Sequence, residues 1–141
     1  MKPDETVDYH IRCAWLKISK MYNQQASAFG LTQTTAHVLL NIDPAKGTPS
    51  TRLGPQMGME PTSLSRTLQN MEAKGWIERV PDQSDRRVSR IVLTHEGMRL
   101  RSMARESVID FNKKLISAIP KEKLNHFLDV IKIIDQHTVK Q

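Results

Sequence analysis

The stretch 61–93 constrains the fold most, because a helical pattern gives way within it to two short strand patterns. Leu64, Leu68 and Met71 recur at steps of four and three residues, which puts all three on one face of a helix. Gly75 follows at a position where glycine commonly ends a helix. The first part of this stretch is therefore predicted to be a helix with one buried face.

Two alternating runs follow this helix, residues 76–80 and 88–93, with the polar loop 81–87 between them. Alternation of apolar and polar residues predicts half-buried strands, and the short separation predicts that they pair as a hairpin. The loop carries Asp85 followed by two arginines near its tip. An exposed pair of guanidinium groups is either idle or placed to meet an anion.

Three helices are predicted upstream of this stretch. Apolar residues over 7–22 recur at steps of three and four, which is typical of an amphipathic helix. Thr32 can cap a second helix. A turn-rich segment, 43–50, leads into a third helix that ends at Gly58. Pro55 within it predicts a short, kinked or partly 3-10 helix, because proline removes a helical hydrogen bond.

Two long helices are predicted after the hairpin. Thr94 and Gly97 begin the fifth, and Pro120 breaks the pattern and begins the sixth. Apolar residues cover more than half of the circumference of the sixth helix. Such a broad apolar surface in a terminal segment predicts a partner subunit, and the alternative is burial in the chain's own core.

The charge of the chain favours an anionic partner. Lys and Arg total 21 against 15 Asp and Glu, which gives a formal net charge of +6. Eleven basic but only six acidic residues lie within 46–105, so most of the excess falls around the predicted helix and hairpin. Nucleic acid, an acidic protein and an anionic membrane surface all suit such a charge.

Several classes of protein are disfavoured by the sequence. It has no run of about 18 apolar residues, and its charged N-terminus is unlike a signal peptide, so a cytoplasmic protein without membrane contact is expected. The single cysteine, Cys13, excludes an intramolecular disulfide. We find no phosphate-binding glycine loop, no zinc-protease signature and no nucleophile with a base at motif spacing. No enzymatic activity, cofactor or metal is therefore predicted.

The order of a short helix, a tight turn, a second helix and a hairpin is that of a winged helix-turn-helix. The segment 50–97 resembles the core of the MarR family of bacterial transcriptional regulators, and the resemblance extends over most of the chain. The matching features are Leu53, Met57-Gly58, Leu64-Ser65-Arg66, Leu68, Glu72 with Gly75, Ile77 with Arg79, Asp85 with Arg87, and Leu93-Thr94 with Gly97. The resemblance implies a mainly α (α+β) fold, with dimerisation helices over 1–30 and 98–141 and a DNA-binding lobe over 31–97.

The exposed face of the predicted helix 61–74 is the candidate recognition surface for the DNA major groove. Opposite the buried residues it carries hydroxyl groups and longer polar side chains, namely Thr62, Ser63, Ser65, Arg66 and Gln69. Hydroxyl groups and the N–H groups at a helix N-terminus can bind phosphates. Arg66 and Gln69 are long enough to reach purine edges. The alternative is an ordinary solvated polar face.

The resemblance implies that the loop 81–87 is the wing and that Arg87 enters the minor groove. A guanidinium group suits the negative potential of narrow A·T tracts there. Arg86 is predicted to attract phosphate. Asp85 is predicted to hold the wing by pairing with Arg87, Arg66 or another nearby arginine, because a carboxylate facing phosphates would repel them. A flexible charged loop is the alternative.

The resemblance further implies a homodimer that binds double-stranded DNA at a pseudo-palindromic operator, more often as a repressor. It also implies a small anionic or aromatic or acyl effector. Trp15, Met21, Tyr22 and His37 are candidates for lining the effector pocket. Apolar residues at helical spacing more often belong to the core, and that assignment is favoured for these four.

Two other interpretations stay open, a winged-helix adaptor that binds other proteins and a redox- or metal-responsive member of the same family. His10 and Cys13 lie three residues apart on the first predicted helix, but two ligands do not make a metal site. The apolar neighbours of Cys13 favour a small buried residue over a reactive thiol.

Overall fold

A computed structural model describes residues 1–139 and shows a mainly helical chain with one small antiparallel sheet, as predicted. In chain order the elements are a 3-10 turn (Pro3–Glu5), α1 (Val7–Ser27), α2 (Gln33–Asn41), β1 (Thr48–Pro49), α3 (Ser50–Met57), α4 (Pro61–Ala73), β2 (Ile77–Pro81), β3 (Ser89–Leu93), α5 (His95–Ala118) and α6 (Lys121–Thr138). Two compact units are present, Met1–Arg105 and the segment from Glu106 onward. None of the helices described here has the length and apolar character needed to cross a membrane.

The first unit is built around one hydrophobic core to which helices α1 to α5 and strands β2 and β3 contribute. Its buried members are Ala26, Leu31, Val38, Leu39, Ile42, Leu53, Leu64, Leu68, Met71, Ile77, Ile91 and Leu100. Burying a side chain of this size contributes about 1.5–3 kcal/mol. The α4 members of this core are the three predicted from their spacing.

Helix α4 ends as the sequence predicts. Gly75 adopts a φ of 75°, in the left-handed region that glycine tolerates best. The N–H of Trp76 donates to the carbonyl of Met71 at 3.0 Å, which closes the last turn in the Schellman arrangement. Because Trp76 takes part in this cap, β2 starts one residue later than the alternation suggested.

Helices α2 and α3 are both short. The hydroxyl of Thr32 accepts the N–H of Thr35 at 3.1 Å, so the predicted cap of α2 is confirmed. Helix α3 has eight residues and stays α-helical throughout, so its predicted shortness is confirmed and the 3-10 alternative is wrong. Pro55 lies on the exposed side near the helix end, where its missing N–H removes a single hydrogen bond.

The hairpin of β2 and β3 is confirmed, with Ile77 opposite Leu93 and Pro81 opposite Ser89. The sequence did not predict β1, which pairs with the other side of β3 and gives the strand order β1-β3-β2. With two residues, one of them a proline, β1 is too short to show alternation. Its pairing follows from contact with a strand some forty residues further along the chain.

The start of α5 is fastened to the end of α4. The hydroxyl of Thr94 donates to the carbonyl of Gly75 at 2.6 Å and accepts the N–H of Gly97 at 3.1 Å. A Cβ atom at Gly97 would overlap the carbonyl oxygen of Trp76. The predicted helix start at Thr94 and Gly97 therefore has a steric reason as well as a capping reason.

In the second unit, α6 has no buried residue. Four of its large apolar side chains are about half exposed, namely Phe127, Leu128, Val130 and Ile133. The alternative that this helix is buried in the chain's own core is therefore wrong for the single chain. The broad apolar surface predicted from the sequence is present.

Because Gly97 lies so close to the carbonyl of Trp76, a larger residue at this position is expected to lower stability. We expect Gly97→Ala to lower the free energy of unfolding by about 1–3 kcal/mol, because the added methyl group meets a backbone carbonyl. Gly54→Ala is the matched control, since its Cβ would lie 3.4 Å from the nearest atom and alanine favours helix by about 1 kcal/mol. Urea unfolding followed by circular dichroism measures both. Equal stability of the two variants would contradict the steric explanation.

Candidate nucleic-acid interface

The exposed face of α4 forms a shallow open depression of about 460 Å³. It is lined by Pro61, Thr62, Ser65, Arg66 and Gln69. Four of the five α4 residues predicted to contact DNA therefore lie around one concave surface. This face of α4 is exposed because the opposite face of the helix is buried in the core.

Ser63, the fifth predicted residue of α4, is exposed but does not line this depression. Its backbone carbonyl accepts the hydroxyl of Thr67 at 3.0 Å. Within residues 1–139, no hydrogen bond is found for the side chains of Thr62, Ser63, Ser65, Arg66 and Gln69. Their polar groups can therefore bind an external ligand without first breaking a contact inside the protein.

At the wing tip, Arg87 points outward and is paired with Asp85. The side chain of Arg87 is 90% exposed. Its Nε lies 3.1 Å from Asp85 Oδ1 and its Nη2 lies 3.3 Å from Asp85 Oδ2, and its own backbone N–H donates to Oδ1 at 3.0 Å. Of the arginines proposed as partners of Asp85, the structure selects Arg87. The guanidinium, followed by the backbone N–H, holds the pKa of the Asp85 carboxyl below its usual value.

Arg86 is exposed, and no ion pair is found for it in the described part of the chain. The wing thus presents one arginine whose charge is compensated by a neighbouring carboxylate and one whose charge is not. This geometry is compatible with the predicted roles, in which Arg87 enters the minor groove and Arg86 attracts phosphate.

A second ion pair at the base of the wing was missed by the sequence analysis. Asp82 is only 5% exposed, and its Oδ1 lies 2.8 Å from both Nε and Nη2 of Arg90. Its other oxygen, Oδ2, accepts the backbone N–H groups of Ser84 at 3.1 Å and Asp85 at 3.2 Å. Both carboxylate oxygens are therefore occupied. The available signal was the charged Arg90 in β3, directly before the apolar run 91–93.

Arg90 also reaches out of the wing. Its Nη1 donates to the carbonyls of Lys46 at 3.0 Å and Gly47 at 3.1 Å. These carbonyls belong to the segment 43–47, here called the connector, which leads through β1 into α3. One side chain therefore ties the base of the wing to the chain that enters the helix-turn-helix.

The connector is itself a well-defined turn. Asp43 Oδ1 accepts the N–H groups of Ala45 at 2.8 Å and Lys46 at 2.9 Å, and the Asp43 N–H donates to the hydroxyl of Thr48 at 2.9 Å. The N–H groups of Lys46 and Ala45 lower the pKa of the Asp43 carboxyl. Gly47 has a φ of 70°, and a Cβ there would lie 2.6 Å from the carbonyl oxygen of Ile91. The carbonyls that receive Arg90 are therefore held in place.

The four candidates for an effector pocket lie on α1 and α2. Trp15 is 52% exposed and His37 is exposed, so neither belongs to the core of the single chain, and the favoured core assignment is wrong for these two. Met21 and Tyr22 are half-buried. Their role in binding an effector stays a prediction.

Cys13 and His10 show no shared site. Cys13 is half-buried, and His10 Nε2 lies 2.7 Å from the backbone carbonyl of Asp4. Within residues 1–139, no three His, Cys, Asp or Glu side chains are grouped closely enough to hold a metal ion.

The contacts of the Asp82 carboxylate lead us to expect that the stability of the fold depends on pH. Burial raises its pKa, but the N–H of Asp85, the Arg90 guanidinium and the N–H of Ser84 together lower it below the usual value. The contacts therefore stabilise the fold above about pH 4, the ordinary pKa of aspartate, and this stabilisation is lost as the pH falls through the lower folded-state pKa.

We expect Asp82→Asn to unfold at a lower temperature than the wild type between about pH 5 and 8, with a difference that narrows below pH 4. Thermal unfolding followed by circular dichroism measures this difference. The control is Asp129→Asn, which alters an exposed carboxylate of α6. A difference that persists unchanged to about pH 2 would show that charge at Asp82 is not what stabilises the wing.

Known proteins with similar sequences and folds include regulators of transcription. Residues 31–89 match the model of the MarR family. The transcriptional regulator PecS of Dickeya dadantii is 28% identical over 78 residues, which cover 55% of this chain and 47% of PecS. This match therefore spans about half the length of that relative.

Two solved structures have a similar fold. The S. aureus MepR–DNA complex has a TM-score of 0.83 at 21% identity, covering 93% of this chain and 98% of that one. CouR from Rhodococcus jostii RHA1, bound to p-coumaroyl-CoA, has a TM-score of 0.83 at 23% identity, covering 100% and 99%. At this level of identity the likeness establishes the fold, and the predicted winged helix-turn-helix is confirmed.

Proposed function

We propose that this chain is a member of the MarR family, whose model matches residues 31–89, and that it is a ligand-responsive transcriptional repressor that binds double-stranded DNA through α4 and the wing. The observation that carries the proposal is the open depression on α4, which is lined by four polar side chains that have no hydrogen bond within the described residues. The related fold of MepR in a complex with DNA supports it. We propose no enzymatic activity and a cytoplasmic location, as suits a regulator of transcription.

In this proposal α4 lies in the major groove. Arg66 and Gln69 are three residues apart, a rise of about 4.5 Å along the helix, so they can reach neighbouring base pairs. Arginine suits the two acceptors of guanine, and glutamine suits the donor and acceptor of adenine. Thr62, Ser63 and Ser65 are short enough to let the helix N-terminus approach the phosphates and bond to them.

The wing is proposed to enter the adjacent minor groove with Arg87. The Asp85 carboxylate accepts hydrogen bonds from Nε and Nη2 of this guanidinium, and no hydrogen bond is found for Nη1 within residues 1–139. One edge of the group is thus held by the protein while the other faces outward. Arg86 would supply attraction to the phosphates, since its charge is not compensated by a described carboxylate.

The protein is proposed to act as a homodimer, with dimerisation helices over 1–30 and 98–141. The half-exposed apolar residues of α6 support this, because a monomer rarely leaves so much apolar area on one terminal helix uncovered. A two-fold dimer presents two reading helices to a pseudo-palindrome, with half-sites about 10 base pairs apart. The 31–97 lobe would then be the part that reads DNA.

We propose that a small anionic or aromatic or acyl effector controls DNA binding. CouR, a protein of the same fold, was solved with p-coumaroyl-CoA, which carries both an aromatic acyl group and negative charge. Trp15, Met21, Tyr22 and His37 are the side chains proposed to line its site. The effector would act by binding one dimer conformation more tightly than the other.

Selection of duplex DNA from a random pool tests the proposed function. We expect enrichment of a pseudo-palindrome, and release of the selected duplex by a compound of the proposed effector class. For Arg87→Ala we expect weaker binding and a slope of log affinity against log salt that is smaller by about 0.9 per subunit, the value for one phosphate contact.

Arg99→Ala is the matched control for Arg87→Ala, because Arg99 is also an exposed arginine paired with a nearby carboxylate, Glu96. It removes the same charge outside the proposed interface and should leave the salt slope unchanged. Equal slopes for both variants would contradict the role of Arg87. Failure to enrich any sequence would contradict the proposed function itself.

The proposed dimer makes a separate prediction. We expect sedimentation equilibrium to give the mass of two chains for the wild type and of one chain for Ile133→Asp at micromolar concentration. A buried unpaired carboxylate in an interface opposes association strongly, whereas Ile133 is 53% exposed in the single chain and its replacement should not unfold it. Asn125→Asp, an exposed position of the same helix, is the control. An unchanged dimer in Ile133→Asp would exclude this face from the interface.

A further inference from the structure

The turn that carries Arg87 has few anchors. The N–H of Asp82 donates to the carbonyl of Val88 at 2.9 Å, and the N–H of Val88 donates to the carbonyl of Asp85 at 3.0 Å. Most of the loop between these bonds is exposed. What orients the turn is therefore the Asp82 carboxylate, whose Oδ2 receives two of the loop's own N–H groups.

These contacts form a continuous series that ends at the wing tip. Arg90 fixes the carboxylate of Asp82, and Asp82 accepts the N–H of Asp85. Asp85 in turn holds two nitrogens of the Arg87 guanidinium. Each step is a direct hydrogen bond, so a displacement of Arg90 would displace the carboxylate that orients Arg87.

The other end of the series is fixed to the connector. All three guanidinium nitrogens of Arg90 are used, Nε and Nη2 on Asp82 and Nη1 on the carbonyls of Lys46 and Gly47. A lysine has one nitrogen and cannot span the carboxylate and both carbonyls with the same planar geometry. The connector runs through β1 into α3, and the Cβ built at Gly54 of α3 would lie 3.5 Å from Leu64 of α4. The wing is therefore connected, through the connector, to α3, which packs next to α4.

We infer that Asp82 and Arg90 are positioning residues for the wing. They hold the turn that carries Arg87 against the connector, and they thereby determine how strongly the protein distinguishes A·T-rich from G·C-rich DNA beside its half-sites. This inference rests on the proposed function, in which Arg87 enters the minor groove. It assigns Asp82 and Arg90 no contact with DNA, because Asp82 is buried and each of the three guanidinium nitrogens of Arg90 already has a partner within the protein.

The test compares two duplexes, the one that the wild type selects from a random pool and the same half-sites with G·C flanks. For the wild type we expect the selected duplex to bind about fivefold or more tightly, the effect of one unfavourable base pair. For Arg90→Lys we expect this ratio to fall to about one, with less than about a threefold change on the G·C-flanked duplex. Asp82→Asn should behave in the same way. Fluorescence anisotropy at one salt concentration measures all affinities.

A double-variant cycle separates positioning from general stability. Arg87→Ala should also remove the flank preference, and adding Arg90→Lys to it should change the ratio no further if Arg90 acts through Arg87. The control is Arg99→Lys, which should keep the wild-type ratio. Circular dichroism checks that each variant is folded. Arg90→Lys keeps the charge and most of the side chain, so it serves if Asp82→Asn does not fold.

The outcomes distinguish the inference from the function it rests on. If the wild type enriches no duplex, the proposed function fails. If the wild type discriminates between the flanks and Arg90→Lys does so equally well, only the positioning role is overturned. The role is likewise overturned if Arg90→Lys weakens binding to both duplexes by the same factor, because that is the effect of a residue that only stabilises the fold.

Discussion

The burial of one face of α4 is the constraint on which the rest of this structure depends. Leu64, Leu68 and Met71 are at most 5% exposed, so the helix cannot rotate about its axis without bringing apolar surface into water. Its orientation fixes which side chains remain outside, and Arg66 and Gln69 are among them. The buried residues of α4 therefore determine which of its side chains form the exposed surface proposed to contact DNA.

The wing is held by a different kind of interaction. A short exposed loop has little apolar area to bury, so its conformation depends on hydrogen bonds to charged groups, which are stronger than bonds between neutral groups. Asp82 supplies acceptors for the loop's own N–H groups, and Arg90 fixes that carboxylate to the connector. The helix-turn-helix is thus stabilised mainly by packing and the wing mainly by electrostatics. Salt and pH should affect the two parts unequally.

Local patterns predicted most of the elements and missed the contacts between distant segments. Steps of three and four residues predicted α4, and Gly75 predicted its end, because both signals lie within one helix. Strand β1 was missed because its two residues form a strand only by pairing with β3. Arg90 was missed for the same reason, since the carbonyls it binds lie 43 and 44 residues earlier in the chain. Helical periodicity was enough to predict the α4 candidates. The role of Asp85 in the wing was predicted from the resemblance to a family, and only the structure showed that its partner is Arg87.

The distribution of charge in the wing explains how a loop with two aspartates can belong to a DNA-binding surface. An uncompensated carboxylate there would repel the phosphates. Asp82 is buried against Arg90, and Asp85 is bonded to Arg87, so each negative charge is cancelled locally by a guanidinium. Over the segment 81–90 this leaves Arg86 as the uncompensated charge, and it is exposed. The aspartates can therefore act as rigid internal supports, while a single positive charge and the free edge of Arg87 face outward toward an anionic partner.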